Sequence, residues 1–317
     1  MYRTSRKCAS PIGPFRDSPV AWAASTNDGK PARRRNALTV DVEDYFHVNA
    51  FASVVRRADW PKFESRVERN TQRLLELFAR QDVHATFFVL GCVAQHVPSL
   101  IRQIHAAGHE IACHGMTHEL VYQQTPVAFR AQTLEAKQRL EDITGQAVLG
   151  YRAASYSVTK NSAWALEILE DLGFVYDSSV FPVRHDVYGM PDAPRAPYRP
   201  GRGAMLEIPL TTVEWGGMRM PCAGGGYFRI LPYGFFKWAV RRVNDTDRMP
   251  VMFYLHPWEV DPEQPRMPGA PLLSRFRHYY NLHRTEPRLK QLLQDFSWGR
   301  VDQVFDLSAT VPNARRV

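Results

Sequence analysis

Three carboxylates stand within four residues, Asp41, Glu43 and Asp44, where the apolar run in ALTVDVEDYFHV (residues 37–48) ends. Acids crowded at the end of a hydrophobic strand repel one another and cost desolvation unless a cation offsets them. Two histidines four residues apart, His114 and His118 in CHGMTH, suggest what that cation is. On one helical turn this spacing puts both imidazoles on one side, with a metal ion between them. Two imidazoles and one carboxylate, with positions left for water, make a catalytic rather than a structural metal site, and another acid then stays free as a base. With 11 histidines in 317 residues the spacing by itself is weak. Capping or surface histidines, a calcium-type acidic loop or plain solvated acids would each account for part of the pattern. A second pair at the same spacing, His105 and His109, is interrupted by Gly108, has no acidic strand end beside it, and reads as structural. HGMTH lacks the glutamate of H-E-x-x-H, which disfavours a metalloprotease.

Such residues need elements that bring them together. From Asn36 onward, ALTVDV, HATFFVLGCVA, HEIACH, AVLGYRA, FVYDSS and PVMFYLHPWEV read as strands. Between and after them, VERNTQRLLELFARQ, PSLIRQIHAAG, TPVAFRAQTLEAKQRLEDITG, KNSAWALEILEDLG and RLKQLLQDF have helical periodicity, two of them closed by Gly108 and Gly145. This alternation predicts an α/β fold with a parallel sheet covered by helices, and enough strands for a barrel. Residues 182–232 break the rhythm with PDAPRAPYRPGRG and CAGGGYFRILP, so long Pro/Gly-rich loops are expected there, with an antiparallel hairpin around LEIPLTTVEWGG. In a parallel barrel the chemistry sits on loops at the C-terminal ends of the strands. The acids of residues 41–44, CHGMTH, GYRAAS and YLHPWE all fall at such ends.

The composition, 44% hydrophobic and 23% charged, suits a globular chain with a sizeable core. Part of the net charge of +8 is local: residues 1–36 carry YRTSRK and KPARRR with almost no acid, and are expected to be a disordered basic tail. No aromatic or amphipathic pattern accompanies that charge, so neither nucleic acid nor a membrane is expected to bind the tail. The longest apolar run, ATFFVLGCVA, is too short to span a bilayer, and no secretory segment stands near the N-terminus, which gives a cytoplasmic protein as the expectation. The four cysteines are scattered with no C-x-x-C pair, against a disulfide scaffold or a thiolate zinc site.

In their order along the chain these motifs resemble the polysaccharide deacetylases of carbohydrate esterase family 4, the NodB-homology fold. TVDVEDYFHV, CHGMTH, GYRAASYSV, YDSSVFPVRHDVYG, GGGYFRILP and FYLHPWEVD, with HYYNLHRTEPRLKQLLQDF behind them, resemble a subgroup found in exosortase-associated exopolysaccharide gene clusters. The likeness runs from about Leu38 to Trp298. It implies a distorted (β/α)7 barrel over residues 37–300, with a subgroup-specific region and C-terminal helical extension over about 182–300 and a tail over 301–317. It also implies a divalent metal, usually Zn2+, and removal of N-acetyl groups from the amino sugars of a polysaccharide or oligosaccharide.

Carried over residue by residue, Asp41 matches the general base. The family's metal-binding acid usually follows directly, and here Val42 stands in its place. The carboxylate that joins His114 and His118 is then Glu43, which in extended chain points to the same side as Asp41, or else Asp44. Arg152 corresponds to the arginine that pairs with the catalytic acid, although Ala154 replaces a usual proline. The backbone N–H near Ser155 is expected at the oxyanion, His256 as general acid, Leu255 in the acetyl pocket, and Asp177 behind His256 as its orienting carboxylate. Trp215, Tyr227, Trp258 and Tyr198 either stack on sugar rings or belong to the core. The alternative is a glycan-binding member without activity, which would be expected to lack the base, the acid or a histidine; this chain has all of them.

Overall fold

A computed structural model of the chain describes residues 26–27, 30–31, 34–185, 187–201 and 203–307. Apart from a short antiparallel ladder, Thr26–Asn27 with Lys30–Pro31, the tail expected over 1–36 lies outside the described residues until Arg34. Seven parallel strands form the sheet: β1 (Arg35–Val42), β2 (Thr86–Val89), β3 (Glu110–Cys113), β4 (Gly150–Tyr151), β5 (Tyr176–Asp177), β6 (Leu206–Glu207) and β7 (Met252–Leu255), in the order β7-β1-β2-β3-β4-β5-β6. An eighth, β8 (Ser297–Gly299), pairs in parallel with the start of β1. The sheet curls into the distorted seven-strand barrel that the sequence implied.

Strand alternation sorts the side chains into two cores. Leu38, Val40, Val42, Phe87, Val89, Ile111, Cys113, Phe253 and Leu255 face outward against the helices. The opposite set, Ala37, Phe88, Ala112, Tyr176, Leu206, Met252 and Tyr254, packs inside the barrel. The outer layer is supplied by α1 (Val67–Arg80), α2 (Gly91–His96), α3 (Pro98–Ala106), α4 (Pro126–Thr144), α5 (Trp164–Asp171), α6 (Gly225–Ile230), α7 (Tyr233–Arg241) and, after α8 (Leu272–Tyr279) at the barrel mouth, α9 (Leu282–Asp295). The longest, α4, begins where Thr125 accepts a bond from the Ala128 amide (3.2 Å) with Pro126 in its first turn, and ends at Gly145 in the left-handed region. The expected hairpin is present as Thr212–Trp215 paired with Met218–Pro221 around Gly216 and Gly217.

Two boundaries differ from expectation. β1 begins at Arg35, because buried Asn36 is satisfied by side-chain bonds to the Val251 amide (2.8 Å) and to Asn244 (2.8 Å) and can sit inside the sheet. Residues 301–307 are not a tail: Val301–Val304 is a helical turn, α10, and Val301, Val304, Phe305 and Leu307 fill the base of the barrel core. Their spacing is that of one helical face. Residues 308–317 lie outside the described residues.

Among the described residues no ladder joins β6 to β7, and the segment after the hairpin closes that seam. The Tyr254 amide donates to Ala223 O (2.7 Å), the Met252 amide to Thr211 Oγ1 (2.7 Å), and Gly224 bridges to Tyr254. Gly224 has φ 120°, and a Cβ there would stand 2.0 Å from Tyr254 O. Gly224→Ala is therefore expected to destabilise the fold by about 2 kcal/mol or more, read as a lower denaturant midpoint. An unchanged midpoint would show that the seam does not depend on this approach.

Candidate active site

At the C-terminal mouth of the barrel, strand ends deliver side chains into one cavity of about 520 Å³ lined by Asp41, Glu43, His114, His118, Ser155, Tyr156, Tyr188, Tyr254, His256 and Trp258 among others. Glu43, His114, Arg152 and His256 are each the first residue after β1, β3, β4 and β7. Their polar groups sit at a rim where the ladder has just ended, which is where a parallel barrel can spare them.

Asp41, the last inward residue of β1, is buried and lies 2.7 Å from Arg152 Nη1. Arg152 is fully buried and makes further bonds to Thr39 Oγ1 (2.7 Å), Ser178 O (3.3 Å) and Ser178 Oγ (3.1 Å), with its guanidinium 4.0 Å from the centre of the Phe88 ring. The other Asp41 oxygen accepts from the Tyr156 hydroxyl at 3.2 Å. Burial and the Asp41 charge push that phenol well above its usual range, so it stays protonated and donates. His118, Ser155 and Tyr156 all have left-handed φ (53°, 49° and 53°) without being glycine. Such strain persists where the surrounding structure imposes it, and it clusters at functional sites.

Glu43, His114 and His118 place one ligand atom each within 4.8 Å of one another. His114 donates Nδ1–H to the Arg152 carbonyl (2.8 Å), which leaves Nε2 as its ligand atom. Burial lowers His114 to about 4 in spite of Asp41 and Glu43, so the ring is neutral, as a ligand must be. His118 Nε2 lies 2.8 Å from Glu43 Oε2, yet that buried oxygen has no hydrogen-bond partner among the described residues. Burial pushes Glu43 up, but His118 and His256 facing it hold it well below the usual carboxylate range. A buried anionic oxygen without a donor, beside two imidazoles, is a donor set that fits a divalent cation.

Asp44 does something else. Its carboxylate accepts from Ser65 Oγ (2.6 Å) and the Arg66 amide (2.9 Å), tying β1 to the start of α1. Of the two acids the sequence left open, Glu43 stands with the histidines and Asp44 anchors the segment that leads into α1.

Opposite Asp41, His256 Nε2 stands 3.9 Å from Asp41 Oδ2 and 3.4 Å from Glu43 Oε1. Its Nδ1 is held by Glu259 Oε1 at 2.8 Å, and the same oxygen accepts the His256 amide at 3.0 Å. The far oxygen of Glu259 accepts Arg229 Nε at 2.7 Å, and Arg229 is fixed by the carbonyls of His278 (2.8 Å) and Tyr280 (2.9 Å). Burial lowers the pKa of His256, but Glu43, Glu259 and Asp41 outweigh it and raise it to about 9. The imidazole therefore holds its second proton at neutral pH, with Nε2–H turned toward the acids.

Several expected roles change. Asp177 does not reach His256. In register it lies beside Tyr151 and Glu207 on the outward face, the side opposite Asp41, where it accepts from Ser179 Oγ (2.6 Å) and pairs with Glu207. Burial and Asp177 push Glu207 well above its usual range, so the pair shares a proton. Leu255 faces outward for the same reason: it pairs with Val40 and packs in the helix-side core, and the inward Tyr254 lines the cavity instead. Trp258 is no sugar platform, since its ring is stacked between His256 (5.0 Å) and His278 (4.1 Å); its Nε1–H donates to Glu43 Oε1 at 3.2 Å. Tyr198 is buried in the core. Tyr227 and Trp215 line a separate apolar groove of about 650 Å³, and Tyr227 meets the cavity wall through the Tyr188 hydroxyl (3.5 Å). Ser155 does line the cavity. Sequence reading missed Glu259, Arg229 and Tyr156. For Glu259 a signal existed: in HPWE the acid stands at the third position of a helical turn, where it accepts the amide of the capping residue, His256.

The matches to known proteins agree with this geometry. Residues 55–176 match the family Polysaccharide deacetylase, and residues 178–306 match a domain of unknown function, DUF3473. His114, His118 and Arg152 come from the first segment, and Arg229, His256 and Glu259 from the second. A chitooligosaccharide deacetylase of Sinorhizobium fredii is 32% identical over 146 residues, 46% of this chain and 62% of that protein. A chitooligosaccharide deacetylase of Bradyrhizobium is 31% identical over 99 residues, 31% of this chain and 43% of that one. The chain thus spans 43% and 62% of the length of these two relatives. The crystal structure of Puue allantoinase is similar in fold, with a TM-score of 0.57 at 17% identity over 98% of this chain and 100% of that one.

A zinc titration separates the two acids. Glu43→Ala is expected to weaken binding at least about tenfold, whereas Asp44→Asn keeps the affinity and lowers stability by about 1 kcal/mol. Equal loss of affinity in both variants would return Asp44 to the ligand set.

Proposed function

Starting from a chain that belongs to the polysaccharide deacetylase family, we propose that this cavity hydrolyses the N-acetyl amide of amino sugars in a polysaccharide or oligosaccharide, releasing acetate and a free amine, in the making or modification of an exopolysaccharide. The observation that carries this reading is the convergence of three groups in one cavity: Asp41 fixed by Arg152 and Tyr156, the Glu43–His114–His118 donor set, and His256 backed by Glu259.

Glu43, His114 and His118 are the residues that would hold a divalent cation, most simply Zn2+. Such an ion polarises a carbonyl and brings the pKa of water toward neutrality. Asp41 is an acceptor-only carboxylate oriented by Arg152, and it takes the proton of the water that adds to the amide carbon. The N–H of Ser155, on its left-handed turn at the cavity wall, supports reading that loop as a donor to the oxyanion. His256, its Nδ1 held by Glu259, gives its Nε2 proton to the nitrogen as the C–N bond breaks, and the charge on Glu259 steadies the imidazolium before transfer.

Two measurements test the assignment. Acetate release from N-acetylglucosamine oligomers is expected to stop with chelator, and Asp41→Asn is expected to lose about 100-fold or more in kcat while still binding zinc. Full turnover by Asp41→Asn would end the role given to Asp41, and no acetate from any N-acetylated oligomer would favour a glycan-binding protein. Glu259→Gln is expected to lower kcat about tenfold or more with KM little changed and to move the alkaline limb of the pH profile to lower pH, while Asp177→Asn leaves both in place. The reverse pattern would restore Asp177 as the partner of His256.

A further inference from the structure

Helix α8 forms one lip of the cavity: Pro271, Leu273, Ser274, Arg277 and His278 line it. The helix buries only His278 and turns large apolar side chains outward, with Leu272 81% exposed, Leu273 58%, Phe276 50% and Tyr280, just past its end, 39%. At helical spacing these four fall within an arc of about 100°, and Arg275 and Arg277 flank that arc on either side. Both arginines are exposed, and among the described residues neither has an acidic partner within ion-pair distance. From Pro265 to Arg284 the chain has four arginines and no Asp or Glu. A monomeric surface does not ordinarily leave two leucines and a phenylalanine side by side in water.

We propose that this lip docks on an anionic lipid surface, with Leu272, Leu273, Phe276 and Tyr280 entering the interface and Arg275 and Arg277 meeting lipid phosphates. The composition selects that occupant. Leucines offer no ring for a sugar to stack on, whereas leucine and aromatic side chains bordered by arginine match the boundary between acyl chains and headgroups. The positive stretch adds attraction to anionic headgroups. No described helix is long and apolar enough to cross a membrane. Docked in this way, the cavity mouth faces the lipid surface, which suits a carbohydrate carried on or beside a membrane. The binding itself needs no catalysis, so it stands or falls separately from the deacetylase reading.

The test is sedimentation of the full chain with vesicles of phosphatidylcholine, with and without phosphatidylglycerol, at low and high salt. Binding is expected only with phosphatidylglycerol present and to weaken as salt rises. Leu272→Asp with Phe276→Asp is expected to lower the bound fraction about tenfold at an unchanged unfolding midpoint, and Arg275→Glu with Arg277→Glu to abolish the preference for anionic vesicles. The basic residues outside α8 are present in every variant, so a difference between variants reports on α8. Absence of binding to anionic vesicles, or equal binding by the double aspartate variant, would overturn the proposal. So would a dimer in sedimentation velocity that the aspartate variant turns into monomer, because the face would then join two copies of the chain.

Discussion

A guanidinium sealed from solvent beside a sealed carboxylate is the constraint on which the mouth of this barrel depends. Neither Arg152 nor Asp41 can be buried alone, and removing one partner of such a pair typically costs about 3–5 kcal/mol. Arg152 also joins β1 through Thr39 and the loop after β5 through Ser178, and its carbonyl sets the tautomer of His114 after β3. One residue thereby fixes Asp41 and orients His114 in the neighbouring donor set. Glu43, His118 and His256 then close around a small space whose charges are balanced only in part by protein groups.

The site divides between the two matched segments. The first brings His114, His118 and Arg152; the second brings His256 together with the residues that hold it, Glu259 and Arg229. The second segment also reaches back to the first acids of the chain, since Trp258 donates to Glu43. It thus supports the Glu43–His114–His118 donor set as well as supplying His256. Neither segment builds the cavity without the other, and Asp41 and Glu43 precede both.

Much of this was legible in the sequence because barrel chemistry sits where strands end, and strand ends are marked by a change from apolar to polar residues. Asp41, His114, His118, Arg152 and His256 all follow that rule, and the cavity contains or borders on each. Asp177 and Leu255 also stand at strand ends, but on the outward face, and β4 to β6 are two residues long, too short for an alternating pattern to show which side is in. Asp44 was ambiguous because its partners, Ser65 and Arg66, lie about twenty residues away and meet it only when α1 packs against β1. Glu259 was readable three residues after His256, but an acid in a motif elsewhere had drawn the pairing away from it.

The measurement that bears most directly on this account is anomalous diffraction at the zinc edge from crystals grown with zinc. The expected result is one peak at ordinary zinc–ligand distance, about 2.0–2.2 Å, from Glu43, His114 and His118, with Asp41 on Arg152 and outside the coordination sphere. A peak on Asp44, a peak that includes Asp41 in place of Glu43, or none at saturating zinc would contradict it.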